Sequence, residues 1–204
     1  MKFKLIFSVC LFSMLSSASL FGQKLTIYNG VSLSHLRKNG AEILHSDRVA
    51  YAGTIGIEYL DEGNFYLSTQ LGYLQAGGKE TNMLLEGANK HVSEKFSYGH
   101  LNTTFRLKGH SGDLEGYIGL GPYVDLLLGD PSLNAPLYKE GFRKKRVTVG
   151  LQPEAGVRKG LTNRLDLGIN ASFLYGLTPS VNTSADKNFY SNTLLFSLSL
   201  SYGW

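Results

Sequence analysis

Residues Leu194 to Trp204 alternate in character with a period of two. Leu194, Phe196, Leu198, Leu200, Tyr202 and Trp204 fall on one side of an extended strand. Leu195, Ser197, Ser199, Ser201 and Gly203 fall on the other. Successive side chains of a strand point to opposite faces, so this stretch has one greasy face and one small, polar face. The greasy face runs on into two aromatic residues. A strand spanning an outer membrane has this form, with its apolar face in lipid and its aromatics at the interface.

The alternation recurs eight times. The segments lie near 24–36, 49–60, 65–75, 96–108, 114–127, 146–158, 164–177 and 192–204, each with an apolar register such as Leu25, Ile27, Val31 and Leu33. Each is long enough to cross a bilayer at a tilt, which takes roughly 9–11 residues. Three connections are short (61–64, 109–113 and 159–163) and rich in turn residues. Four are long, near 37–48, 76–95, 128–145 and 178–191. Long and short alternate strictly, with both chain ends on the short side. Membrane barrels combine an even strand number with short periplasmic turns and longer outer loops. The expected fold is therefore all-β: an eight-stranded, antiparallel, up-and-down transmembrane β-barrel.

Which face points outward separates a membrane barrel from a soluble, lipocalin-like periplasmic one. In the soluble form the apolar register points inward and the other register is water-loving. Here the other register holds Gly56, Ser68, Gly72, Asn102, Thr104, Gly119, Gly121, Gly150, Gly168, Asn170 and Ser172, with almost no lysine in mid-strand. Small residues suit the narrow interior of eight strands. The apolar register is expected to face lipid, and closure removes the edges that hydrocarbon would not tolerate.

Residues 1–22 read as a secretory signal peptide, with Lys2 and Lys4 ahead of the apolar stretch Leu5 to Leu15 and a small-residue approach to a cut before Gln23. Residues 23–204 would form one barrel domain. Loss of Lys2 and Lys4 lowers the formal charge from +4 to +2, so the mature protein is only weakly basic. Cys10 is the single cysteine and lies in the signal segment, which excludes a disulfide framework. The expected location is the cell outer membrane of a Gram-negative bacterium.

The inward register also carries both signs of charge. Arg106 and Glu115 flank one short turn, and Arg158 and Asp166 flank another. Each pair is expected to meet across its hairpin, as a salt bridge filling the lumen. Arg143, Lys144, Lys145 and Arg146 close the third long loop, where lipopolysaccharide phosphates are the expected anionic contact. Pro122 and Pro153 sit in the outward register of adjacent strands, although proline avoids strand interiors. Their spacing about the joining loop predicts that they face each other, as a lateral seam or a curvature-setting bulge.

No catalytic constellation is evident. His35, His45, His91, His100 and His110 are scattered, and only His35 is outward near the outer rim. No metal-ligand spacing or phosphate-binding loop occurs, and no cofactor is expected. The expectation is a non-enzymatic protein embedded in outer-membrane lipid, with an unspecified protein partner and no nucleic acid. A lipid-modifying enzyme and a small channel are the alternatives.

The stretch Tyr117-Ile118-Gly119-Leu120-Gly121-Pro122-Tyr123-Val124-Asp125-Leu126-Leu127-Leu128 resembles the central motif of PorT-like outer-membrane β-barrel proteins of Bacteroidota. Pro153-Glu154-Ala155-Gly156-Val157 resembles that family's next strand, and Phe21-Gly22-Gln23 its signal-peptide ends. The motifs are structural, and the resemblance implies no catalytic residue. It implies a surface or structural role, and a part in type IX secretion for some members.

Overall fold

The computed structural model describes residues 24–38, 41–42, 48–85, 88–129, 143–182 and 188–204. The signal segment expected over residues 1–22 lies outside them. Eight long strands form the wall: β1 (Lys24–Lys38), β2 (Arg48–Glu62), β3 (Phe65–Leu85), β4 (Ala88–Ser111), β5 (Leu114–Leu127), β6 (Val147–Thr162), β7 (Leu165–Gly176) and β8 (Asn188–Gly203). Each pairs antiparallel with the next, and β1 pairs with β8 from Lys24 opposite Gly203 to Arg37 opposite Tyr190. The sheet is a closed barrel, so no wall strand has a free edge within the span. Two-residue strands Ala41–Glu42, Arg143–Lys144 and Val181–Asn182 add to it at the long-loop end.

The strands outrun their expected lengths at the short-turn end. The turns shrink to Gly63-Asn64, Gly112-Asp113 and Asn163-Arg164. Gly63 and Gly112 both have φ of +62°, a conformation that costs glycine nothing. At the third turn the Thr162 hydroxyl accepts from the amides of Arg164 and Leu165 instead.

Residues 76–95, expected as a loop, are mostly a two-stranded ribbon. Pairing of β3 with β4 runs from Phe65 opposite Leu107 to Leu85 opposite Ala88, with one irregularity between Glu80 and Met83. β2 follows β3 only to Leu74, and β5 follows β4 only to Tyr98. A ribbon beyond the membrane is held by backbone bonds and needs no apolar face, so hydropathy alternation does not report it.

The outward register is apolar. Ile55, Leu71, Ile118, Leu120, Ile169 and Leu198 are each more than half exposed on the barrel's outer wall. Aromatics bracket this belt. Tyr51 and Tyr73 approach at 6.5 Å toward the long-loop end, while Phe65 and Phe105 stack at 5.4 Å nearer the turns, with Tyr202 and Trp204 also at the turn end. Tyr51 and Tyr59 are eight residues apart on β2, roughly 26 Å along the strand at about 3.3 Å per residue. Tilt shortens that span across the membrane, giving a belt of the order that outer-membrane barrels carry. Outward hydroxyls are satisfied within the wall: Tyr59 Oη lies 3.0 Å from Thr69 Oγ1, which lies 2.9 Å from Thr103 Oγ1. The soluble alternative required the opposite inversion.

Candidate functional site

The inward register converges on Arg106 of β4, whose side chain is fully buried at the centre of the lumen. A guanidinium there is stable only if its donors are matched. Nε donates to Glu154 Oε1 at 2.6 Å and Nη2 to Glu154 Oε2 at 3.0 Å, a two-pronged contact with β6. Nη1 donates to Tyr28 Oη at 2.9 Å and to Glu58 Oε1 at 3.2 Å. The guanidinium also lies 4.6 Å from the Tyr117 ring centroid. Thr104 and Asn170 donate further bonds to the Glu154 carboxylate.

A second cation extends this cluster. Arg158 Nη1 donates to Glu58 Oε2 at 2.6 Å, and Nη2 pairs with Glu115 at 2.5 Å. The Tyr66 ring lies 5.3 Å from the Arg158 guanidinium. His110, more than half exposed at the turn end, reaches Glu115 at 3.0 Å. Two arginines and three glutamates thus cross-link β2, β4, β5 and β6 through the lumen. At the same end Lys24 Nζ holds Asp166 at 2.8 Å, and Lys108 pairs with Asp61.

These pairings correct the expected partners. Arg106 does not meet Glu115, because Gly119 lies opposite Arg106 and His110 lies opposite Glu115. Arg158 does not meet Asp166, because Gly168 lies opposite Arg158 and Gly160 opposite Asp166. The long arginine side chains reach across the lumen instead of down their own hairpins. Glu154, Glu58, Tyr28 and Lys24 complete the contacts, and only their inward register signalled them in the sequence.

Above this cluster His100 Nδ1 lies 2.6 Å from Asp125 Oδ1, and both groups are buried. Farther toward the long loops the interior turns apolar, with Leu74, Phe96, Tyr98, Tyr123, Leu127, Leu174 and Phe189 packed together. β3 crosses this mouth. Ser32 Oγ of β1 donates to the Gln75 carbonyl at 2.5 Å and Ser34 Oγ to the Gly77 carbonyl at 2.9 Å. Gly77 N donates back to Ser34 Oγ at 2.8 Å. β1 and β3 are not sheet neighbours, so these bonds tie the ribbon across the opening. The described lumen is filled by charge pairs below and apolar side chains above.

The prolines also depart from expectation. Pro122 faces Leu151 and Pro153 faces Leu120, so they are offset by two residues. The β5–β6 ladder is unbroken from Leu114 opposite Lys159 to Leu126 opposite Val147. Pairs are missing on the far sides instead. The β4–β5 ladder skips between Asn102–Tyr123 and Phe105–Leu120, and the β6–β7 ladder between Leu151–Tyr175 and Glu154–Ser172. Each missing proline N–H therefore falls on an outer ladder, and the β5–β6 boundary is not a weak seam.

In the basic run, Arg143 and Lys144 form the two-residue strand beside Val181–Asn182. Lys145 and Arg146 are exposed at the long-loop end. Among the described residues, no group of three or more His, Cys, Asp or Glu is placed to hold a metal ion.

No protein-family model matches the sequence, and no curated protein matches it. Solved structures do match its fold. Neisserial surface protein A is similar with a TM-score of 0.55 at 11% identity, over 87% of this chain and 96% of that one. The outer-membrane protein AlkL, solved in lipid bilayers, is similar with a TM-score of 0.50 at 15% identity, over 90% of each chain. The fold is thus that of the eight-stranded outer-membrane β-barrels.

Proposed function

We propose that the protein is a non-enzymatic integral outer-membrane protein, exported by a cleaved signal peptide, with a structural, surface-interaction or secretion-accessory role of the PorT-like kind. The observation that carries this reading is the inverted barrel: an apolar belt outside, and Arg106 and Arg158 paired with Glu154, Glu58 and Glu115 inside. Such an interior supports a scaffold rather than a conduit. A channel needs a wetted path, whereas Arg106 is gripped from three strands and the mouth is packed with apolar groups.

The PorT-like motifs have a structural explanation that favours this role. A Cβ at Gly119 would lie 2.9 Å from the Arg106 side chain and 3.0 Å from Glu154. Gly119 leaves room for the arginine, Tyr117 lies beneath it, and Glu154 holds it. Both motif stretches thereby serve the same central lock. The exposed Lys145 and Arg146 favour contact with lipopolysaccharide phosphate at the outer rim.

Outer-membrane fractionation with heated and unheated gel samples tests the location. A membrane band that shifts on boiling is expected, and a soluble band without a shift overturns the reading. Planar bilayers are expected to stay silent when the folded protein is added; steady single-channel steps would establish a pore. Lipid A from cells carrying the wild type or His35→Ala is expected to be identical, and a wild-type-specific modification would make the protein an enzyme.

A further inference from the structure

The barrel's outer wall has a depression on β4–β7 near the short turns. It is open along its outer side and has a volume of about 790 Å³. Its floor is made by outward positions with little or no side chain. Gly109 faces Gly116, and Ala155 lies between Ile118 and Ala171. Leu107, Ile118, Val157 and Ile169 form its walls. A Cβ at Gly109 or Gly116 would meet nothing within 4 Å, so these glycines are not required by the packing of neighbouring strands. They leave a trough bordered by Leu107, Ile118, Val157 and Ile169.

A cation stands at the turn end of the trough. Lys159 follows Val157 in the outward register of β6 and is exposed, opposite Leu114 on β5 and Leu167 on β7. It lies three residues before the end of its strand, with only Leu161 beyond it in the same outward register. The other two turn-end lysines of the barrel wall have acidic partners: Lys24 on Asp166 and Lys108 on Asp61. The flanking turns add exposed Arg164 and Asp113, which leaves this part of the rim net positive. An ammonium at a bilayer edge extends to the interface and pairs with phosphate as a point charge.

We propose that this wall binds one phospholipid of the periplasmic leaflet, with an acyl chain in the trough over Gly116 and Ala155 and its phosphate on Lys159. The inference rests on the membrane placement above. An apolar trough open to hydrocarbon and ending at a cation near the strand's turn end matches the two ends of a phospholipid. A second copy of the barrel would instead require a complementary ridge, and would leave Lys159 at an apolar contact.

The test is native mass spectrometry of the folded barrel released from nanodiscs of phosphatidylethanolamine and phosphatidylglycerol. One phospholipid retained per barrel is expected. The double substitution Gly116→Leu/Ala155→Leu fills the trough, and Lys159→Gln removes the cation. Each is expected to lower retention about tenfold, equivalent to about 1.4 kcal/mol. Both sets of changes point outward, and the heat shift on gels confirms that each variant has folded. Retention equal to wild type in the filled variant, or a lipid-free dimer as the main species, overturns the site. Location is read separately from the cellular fractionation, so failure there does not mimic failure here.

Discussion

Arg106 shows how one side chain can fix the relation between distant strands. Its four hydrogen bonds are divided among Glu154, Glu58 and Tyr28, so its loss leaves Glu154 without a cation and Glu58 with Arg158 alone. Removing one partner of a buried pair costs about 3–5 kcal/mol. Arg106→Ala is expected to lower unfolding stability by that amount in urea titrations of the liposome-folded barrel followed by heat shift. Arg106→Lys is expected to recover only part of it, because an ammonium cannot make the two-pronged contact with Glu154. Leu60 is the reverse case. Its φ of +52° lies in the left-handed region, beside a register shift between Tyr59 and Glu62. That conformation costs a non-glycine residue about 1–2 kcal/mol. Leu60→Gly is expected to be neutral or to stabilise by up to about 1 kcal/mol in the same titration, since glycine's greater unfolded freedom offsets part of the relief.

Among the strands, glycines divide into two kinds that the sequence does not distinguish. A Cβ at Gly121 would sit 1.9 Å from the Thr103 carbonyl, and one at Gly30 would sit 1.9 Å from that of Phe196. Backbone from the next strand occupies that space, as expected where a small barrel bends sharply. Gly121→Ala is therefore expected to lose the heat-shifting folded band, whereas Gly116→Ala, with nothing near its Cβ, is expected to keep it. Strand number, direction and outward register were all legible from alternation, because burial against lipid writes itself into every second residue. Ion-pair partners were not. Arg106 and Glu115 are close in sequence and symmetric about a turn, yet the register places Gly119 opposite Arg106, and the side chain crosses to β6. The β3–β4 ribbon is not legible because backbone pairing beyond the bilayer leaves no hydropathic trace. The proline offset is not legible because loop symmetry does not fix register, and the actual register differs from it by two residues.

For the whole molecule, filling the lumen and wrapping the wall in apolar residues are one design. Eight strands enclose too little space for a solvated pore, so the interior must be made of side chains that satisfy each other. The charge lock, the His100–Asp125 pair and the apolar mouth do this in three successive zones. The closing pairing has a further consequence, which concerns time rather than energy. β1 meets β8 along fourteen residue pairs, joining parts of the chain separated by most of its length. Contacts so remote in sequence form late, because loop entropy must be spent before they give anything back. Until β8 has docked on β1, the greasy faces of all eight strands and both unpaired edges stay open to any other chain. The barrel's most dangerous interval is therefore the one that ends when β8 closes on β1.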